Sequence, residues 1–163
     1  MKAIYYEEYG NISVLKQGEI DDPKKVLDKE VLIKVNFFSL NPLDYKLRNG
    51  MLKLMTFRTF PRTTGSDFSG EIIAKGDSVN NFEIGEKVFG FLSQLNEGTS
   101  SQFIKVNESI LSKAPSNIDI GAAAAVPLAA LTSYQALVQL AKIKKGNKVL
   151  INGASGGTGI FAI

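Results

Sequence analysis

The stretch Lys148-Val-Leu-Ile-Asn-Gly153-Ala154-Ser155-Gly156-Gly157-Thr158-Gly159 decides the reading of this chain. Four residues, Lys148 to Ile151, read as a short buried strand, and the strand runs into a glycine-rich turn. Ile160-Phe-Ala-Ile163 then starts an apolar run suited to a helix. A strand, a glycine turn and a helix N-terminus in that order place backbone N–H groups against a phosphate. Aligned on Gly159, the turn reads Ala154-x-Gly156-x-x-Gly159, with Gly153 one residue earlier. Gly156 allows close approach of the backbone to a pyrophosphate, Gly159 allows the helix to pack on the strand, and Ser155 and Thr158 add hydroxyl contacts. The acidic or basic residue that reports on the ribose lies roughly 20 positions further on. The sequence stops before it, so the choice between NADH and NADPH is not legible here.

Working back from this motif, Pro127 starts a helix expected to run to about Lys142. Leu128, Leu131, Tyr134, Leu137, Val138 and Ala141 recur along it at helical spacing. Asp119 is placed to cap a short helix over 120–126. Before Pro115 the texture is strand and turn. Ala3 to Tyr6, Ser13 to Ile20, Glu30 to Leu40, Ser69 to Gly76, Lys87 to Phe91, the stretch after Gly98 and Ile110 to Ala114 all read as strands. In the longest of these, Val31, Ile33 and Val35 share one face, with Lys34 and Asn36 on the other. Short strands separated by Gly and Asp/Asn turns predict a small barrel or sandwich. Asn41-Pro42-Leu43-Asp44 interrupts them with an N-cap, a proline at the first helical position and a first-turn acid, so a short helix to about Arg48 is expected.

Composition narrows the chemistry. The chain has 163 residues, is 44% hydrophobic and 21% charged, and carries a net charge of +3. Its lysines are dispersed, which argues against a nucleic-acid face. It contains neither cysteine nor histidine. Disulfides and a Ser-His-Asp or Cys-His catalytic set are excluded, and zinc is left without its usual ligands. No apolar leader or membrane-spanning stretch is present, and a cytoplasmic location is expected.

Three motifs together carry a resemblance: Asn41-Pro-Leu-Asp44 with Gly65-Ser-Asp67-Phe-Ser-Gly70, then Ala125-Val-Pro-Leu-Ala-Ala-Leu-Thr-Ser-Tyr-Gln-Ala-Leu137, then Val149 to Gly159. In that order they resemble the medium-chain dehydrogenase/reductase superfamily, in its zinc-free quinone oxidoreductase and enone reductase branch. The resemblance implies a mainly β GroES-like barrel-type domain with short helices over 1–118. It further implies that 119–163 form the first helix-strand-turn portion of a truncated α/β Rossmann dinucleotide-binding domain. The chain would then be about half of a protein whose later portion returns to complete the first domain, and it would be inactive alone. Where the zinc branch has Cys three residues before Asp, this chain has Asn41 before Asp44; where that branch has Gly-His-Glu, it has Gly65-Ser66-Asp67.

The activity implied is NAD(P)H-dependent reduction of a small quinone or activated alkene by hydride transfer. NADP(H) is implied over NAD(H), without zinc, in a homo-oligomer with no nucleic-acid or membrane partner. Without metal, hydrogen-bond donors must stabilise developing oxygen charge. Asn41 and Lys46 are the candidates, with Asp44 beside the substrate pocket and Tyr45 or solvent as proton donor. Thr132, Gly153, Ala154, Ser155, Gly156, Gly157, Thr158 and Gly159 are the candidate cofactor residues. Each has a plainer alternative. Asn41 and Asp44 are also a helix cap and its closing acid, Tyr45 and Lys46 are also surface residues, and Thr132 also suits a back-bond to its own helix. Asp67 is expected to brace its glycine-flanked turn. Two other functions stay open: a zinc-free alcohol or sugar dehydrogenase of the same superfamily, and a non-enzymatic GroES-like binding module.

Overall fold

The computed structural model describes residues 1–54, 60–93 and 97–163. Among the described residues, eight strands form two antiparallel sheets: β1 (Lys2–Tyr6), β2 (Lys16–Glu19), β3 (Glu30–Ser39), β4 (Arg62–Thr63), β5 (Asp67–Lys75), β6 (Lys87–Phe91), β7 (Phe103–Asn107) and β8 (Leu111–Lys113). One sheet has the order β2-β1-β4, the other β7-β3-β5-β6-β8. The alternation in β3 does what its period demands. Val31 and Ile33 are fully buried with Phe68, Ile72 and Val88, Val35 packs against that cluster, and Lys34 and Asn36 face outward. Register shifts between Leu32 and Ile33 and between Val35 and Phe37 bend β3 where it crosses β5. The far ends of these two strands pair Ser39 with Asp67.

Helix α1 (Pro42–Arg48) begins where the cap residues require, with Asn41 as N-cap, Pro42 next and Asp44 closing the first turn. Two short helices follow the sheets, α2 (Ile120–Ala123), whose cap Asp119 accepts the Gly121 N–H, and α3 (Pro127–Tyr134). Helix α4 (Gly157–Ala162) follows the glycine turn. The mainly β fold with few short helices is thus as expected.

Three local expectations are corrected. The strand expected from Ser13 starts only at Lys16, because Asn11 Oδ1 captures the Ser13 N–H at 2.8 Å and winds residues Ile12–Val14 into a 3-10 turn. The helix expected to run to Lys142 is α-helical only to Tyr134. Gln135–Leu140 is π-helical, with the Ala141 N–H reaching back five residues to the Ala136 carbonyl, and the winding stops at Lys142, whose φ is 50°. Residues 148–151 form neither a strand nor a buried segment, and Leu150 is 95% exposed. A strand exists only by pairing, and no strand among the described residues lies alongside to supply the ladder.

Candidate active site

The end of β3, the first turn of α1 and the start of β5 converge on one buried carboxylate. Asp67 is 0% exposed. Its Oδ2 accepts the Asn41 side-chain N–H at 2.9 Å and the Ser39 hydroxyl at 3.1 Å. Its Oδ1 accepts the backbone N–H of Leu128 at 2.9 Å. Leu128 is the second residue of α3, a helix whose N-cap, Val126, has no side-chain acceptor. Asp67 therefore caps α3 from 61 positions away. Burial pushes the Asp67 carboxyl above the usual carboxylate range, against the pull of its bonds to Asn41, Leu128 and Ser39.

Asn41 is half-buried beside this carboxylate. An amide nitrogen has two N–H bonds. One goes to Asp67, and the only other partner of this nitrogen among the described residues is Ser39 Oγ at 3.4 Å, a long contact. One donor of Asn41 is thus held firmly and the other weakly. Asp44 is buried and spends its oxygens on the protein: Oδ2 accepts the Asn41 backbone N–H and Oδ1 the Ser66 hydroxyl at 3.4 Å. Tyr45 is exposed and Lys46 half-buried, with no hydrogen bond or ion pair to the Lys46 ammonium among the described residues. No group of three His, Cys, Asp or Glu side chains gathers among the described residues in a form able to hold a metal.

The glycine turn lies at the other end of α3. Ser133 Oγ donates to the Thr158 carbonyl at 2.6 Å and fixes α3 against α4. Gly153 has a φ of 74°, and a Cβ on Gly159 would stand 2.3 Å from the Gly153 carbonyl oxygen and 2.6 Å from Ala154 Cα. Only glycine allows the helix to start so close to the turn. Ser155, Gly156, Gly157 and Thr158 are exposed, and the N-cap Gly156 offers the first turn of α4 no side-chain acceptor. Exposed donors without a protein cap, over glycines that admit close approach, fit a phosphate. A hollow of about 380 Å³ borders this turn, lined by Ser133, Leu137, Val149, Gly153 and Gly156 among others. Thr132 is exposed and its hydroxyl donates to the Leu128 carbonyl at 2.7 Å, the back-bond that a helix-interior threonine makes.

A larger, apolar hollow of about 470 Å³ lies between β6, β8 and α3, lined by Phe89, Phe91, Leu111, Pro127, Leu131 and Tyr134. Phe91 pairs with Asp67 in the sheet, but neither Asp67 nor Asn41, Asp44, Tyr45 or Lys46 lines this hollow.

A family model described as the alcohol dehydrogenase GroES-like domain matches residues 27–126. The chain belongs to that family. Within the medium-chain dehydrogenase/reductase superfamily, its relatives place this GroES-like chain in the quinone and enone reductase branch. A quinone-oxidoreductase homolog, chloroplastic, of Spinacia oleracea is 37% identical over 169 residues, covering 100% of this chain and 51% of that protein. An NADPH-dependent alkenal/one oxidoreductase, chloroplastic, of Arabidopsis thaliana is 32% identical, covering 100% of this chain and 43% of its own length. The solved quinone oxidoreductase from Coxiella burnetii superposes with a TM-score of 0.88 at 37% identity, covering 100% of this chain and 52% of that one. The chain spans about half the length of the curated relatives it matches. The matched GroES-like span holds Asn41, Asp44, Tyr45, Lys46 and Asp67, while Thr132 and the glycine turn lie beyond it.

The sequence reading gave Asp67 only its own turn to brace, and it missed Ser39, Leu128 and Ser133 as partners. The one signal for Asp67 was an acid with glycines on both sides, at Gly65 and Gly70, entering a strand whose first four residues are buried. Among the described residues no helix is long and apolar enough to cross a membrane.

Proposed function

We propose that this chain is the substrate-side part, with the first phosphate turn, of an NAD(P)H-dependent oxidoreductase that reduces quinones or activated alkenes. The observation that carries the reading is the amide of Asn41. It is held by the same carboxylate that caps the helix leading to the glycine turn, and one of its N–H bonds is only weakly engaged. The domain division proposed is 1–118 and 119–163.

A bound nicotinamide would supply the hydride. Gly153 to Gly159 would hold its phosphates, with Thr132 further along α3. The chain's own residues bind and polarise the acceptor. Asn41, with Lys46 on the following helix, donates to the acceptor oxygen as negative charge builds on it. Asp44 keeps Asn41 at the start of α1. Tyr45 or water gives up the proton that completes the reduction, so the acceptor gains two electrons as hydride and a proton from the protein or solvent. The apolar hollow beside Phe91 is of the kind that takes a flat, weakly polar substrate. A sequence without histidine or cysteine supports a metal-free route.

NADP(H) is the cofactor form proposed, supported by the relative named as NADPH-dependent. A homo-oligomer is proposed on the exposed apolar side chains Val138, Leu140 and Leu150. The cytoplasm is the compartment proposed, supported by the lack of cysteine.

The test is nicotinamide oxidation by the full-length protein, followed by absorbance with quinones, enones and simple alcohols or ketones in parallel. Turnover of quinones or enones with NADPH is expected. Turnover confined to alcohols and ketones, or none with any acceptor, would overturn the reading.

A further inference from the structure

We propose that Asp67 is a positioning residue that fixes which way the Asn41 amide faces. This rests on Asn41 being the group that meets the acceptor oxygen. An ionised carboxylate only accepts, so the side of Asn41 that faces Asp67 must be its NH₂. That choice leaves the second N–H of Asn41 as the weakly held donor and turns its carbonyl oxygen away from Asp67. The capping box agrees with this choice, since the Asp44 backbone N–H faces the Asn41 side chain and is met by its oxygen. The Ser39 hydroxyl, at 3.4 Å, accepts or donates with equal ease, and it donates to Asp67 itself at 3.1 Å.

Both oxygens of Asp67 face donors, so the site is specific for a carboxylate. Leu128 N–H stands at Oδ1, and Asn41 and Ser39 stand at Oδ2. An asparagine at position 67 has one acceptor oxygen and one NH₂. It can serve Leu128 or Asn41, not both. If its oxygen stays with Leu128, which has no alternative side-chain cap, its NH₂ confronts Asn41 and favours the flipped amide with a carbonyl oxygen on that side. The substrate side would then lose its oriented donor while the fold keeps its volume. The site thus ties two requirements to one side chain, the start of α3 and the orientation of Asn41.

The test uses the full-length protein with Asp67→Asn, Asn41→Ala and the double variant. Steady-state rates are read together with the side-chain ¹⁵N–¹H signals of Asn41, assigned by their loss in Asn41→Ala. The expected NMR result is a pair with one strongly shifted, slowly exchanging proton that loses both properties in Asp67→Asn. The expected kinetic result is a kcat about tenfold lower for Asp67→Asn with Asn41 present, and less than twofold lower in the Asn41→Ala background. Equal losses in both backgrounds, or an unchanged Asn41 signal in Asp67→Asn, would overturn the proposal, since a merely structural role acts alike in both. The NMR arm is independent of turnover. A protein that shows the signal change but reduces neither quinone nor enone refutes the reductase reading and leaves the Asp67 orientation of Asn41 standing. If Asp67→Asn does not fold, Asp67→Glu replaces it. That variant keeps an acceptor-only group one methylene longer, and kcat should fall only where Asn41 is present.

Discussion

Ser133 donates its hydroxyl to the carbonyl of Thr158 at 2.6 Å, joining a residue 2% exposed within α3 to the first turn of α4. This is the joint through which the helix capped by Asp67 positions the glycine turn. The same hydroxyl lies 3.2 Å from the Ala129 carbonyl of its own helix, so the interhelix bond is the shorter of its two contacts. Ser133→Ala removes that bond and leaves the Thr158 carbonyl facing a methyl group. A loss of about 1 kcal/mol is expected, partly offset by the better helix propensity of alanine. Calorimetry of the full-length protein should show a small drop in Tm. Titration with NADPH should show binding weakened several-fold, because the turn is no longer fixed to α3. Unchanged affinity would mean that α3 does not position the turn.

The two glycines of α4 make opposite predictions. A Cβ on Gly159 meets backbone atoms at 2.3 and 2.6 Å, whereas one on Gly157 meets only Ala129 Cβ at 4.0 Å. Gly159→Ala must open the turn and should cost about 1–3 kcal/mol, the usual range for overpacking. Gly157→Ala should leave stability unchanged or raise it by a few tenths of a kcal/mol, since alanine suits a helix better. Comparing the two Tm values checks the geometry directly, and equal destabilisation would contradict it.

Asn41→Ala removes the proposed donor to the acceptor oxygen. Loss of one such donor lowers kcat by about 10²-fold in comparable sites. The full-length variant should therefore turn over quinones about 10²-fold more slowly while still binding NADPH, whose proposed contacts lie on α3 and α4. A variant that keeps its rate would move the donor role to Lys46.

The burial of Asp67 has a signature in pH. Its carboxyl titrates above the ordinary value of 3.8, chiefly because desolvation disfavours the charge. The native state therefore holds this proton to higher pH than the unfolded chain does. By linkage, stability from this group is greatest on the acid side of 3.8 and declines as pH rises through the raised value, then levels off. Asp67→Asn has no such group. The Tm of the parent minus that of Asp67→Asn should fall over this window and stay flat toward neutral pH. A difference that grows with pH would mean that the hydrogen bonds to the carboxylate outweigh its desolvation.

What was legible in the sequence is what nearby residues decide. Asn41, Pro42 and Asp44 fall within four successive residues, and α1 starts where they place it. Val31 and Ile33 are two apart on one strand, and both are fully buried. The tight packing of Gly159 was legible because the atoms it meets, in Gly153 and Ala154, lie a few residues away. The carboxylate hub was not, since Asp67 meets Asn41 26 positions back and Leu128 61 positions on, and no local pattern links them. Residues 148–151 failed for a related reason. Their apolar character suits a strand, but a strand is made by its neighbour, and the exposed Leu150 has none among the described residues.

Because the cap of α3 is borrowed from β5, the helix cannot be completed by its own sequence. Val126 gives it no acceptor, and eight residues are too few to hold a helix alone in water. The order expected in folding is therefore that the β3–β5 pairing carrying Ser39 and Asp67 forms first and α3 condenses onto it. In pulse-labelled hydrogen exchange, amides of β3 and β5 should gain protection before those of α3, and with Asp67→Ala, which takes the acceptor from the Leu128 N–H, the helix should lag further while the sheet keeps its pace.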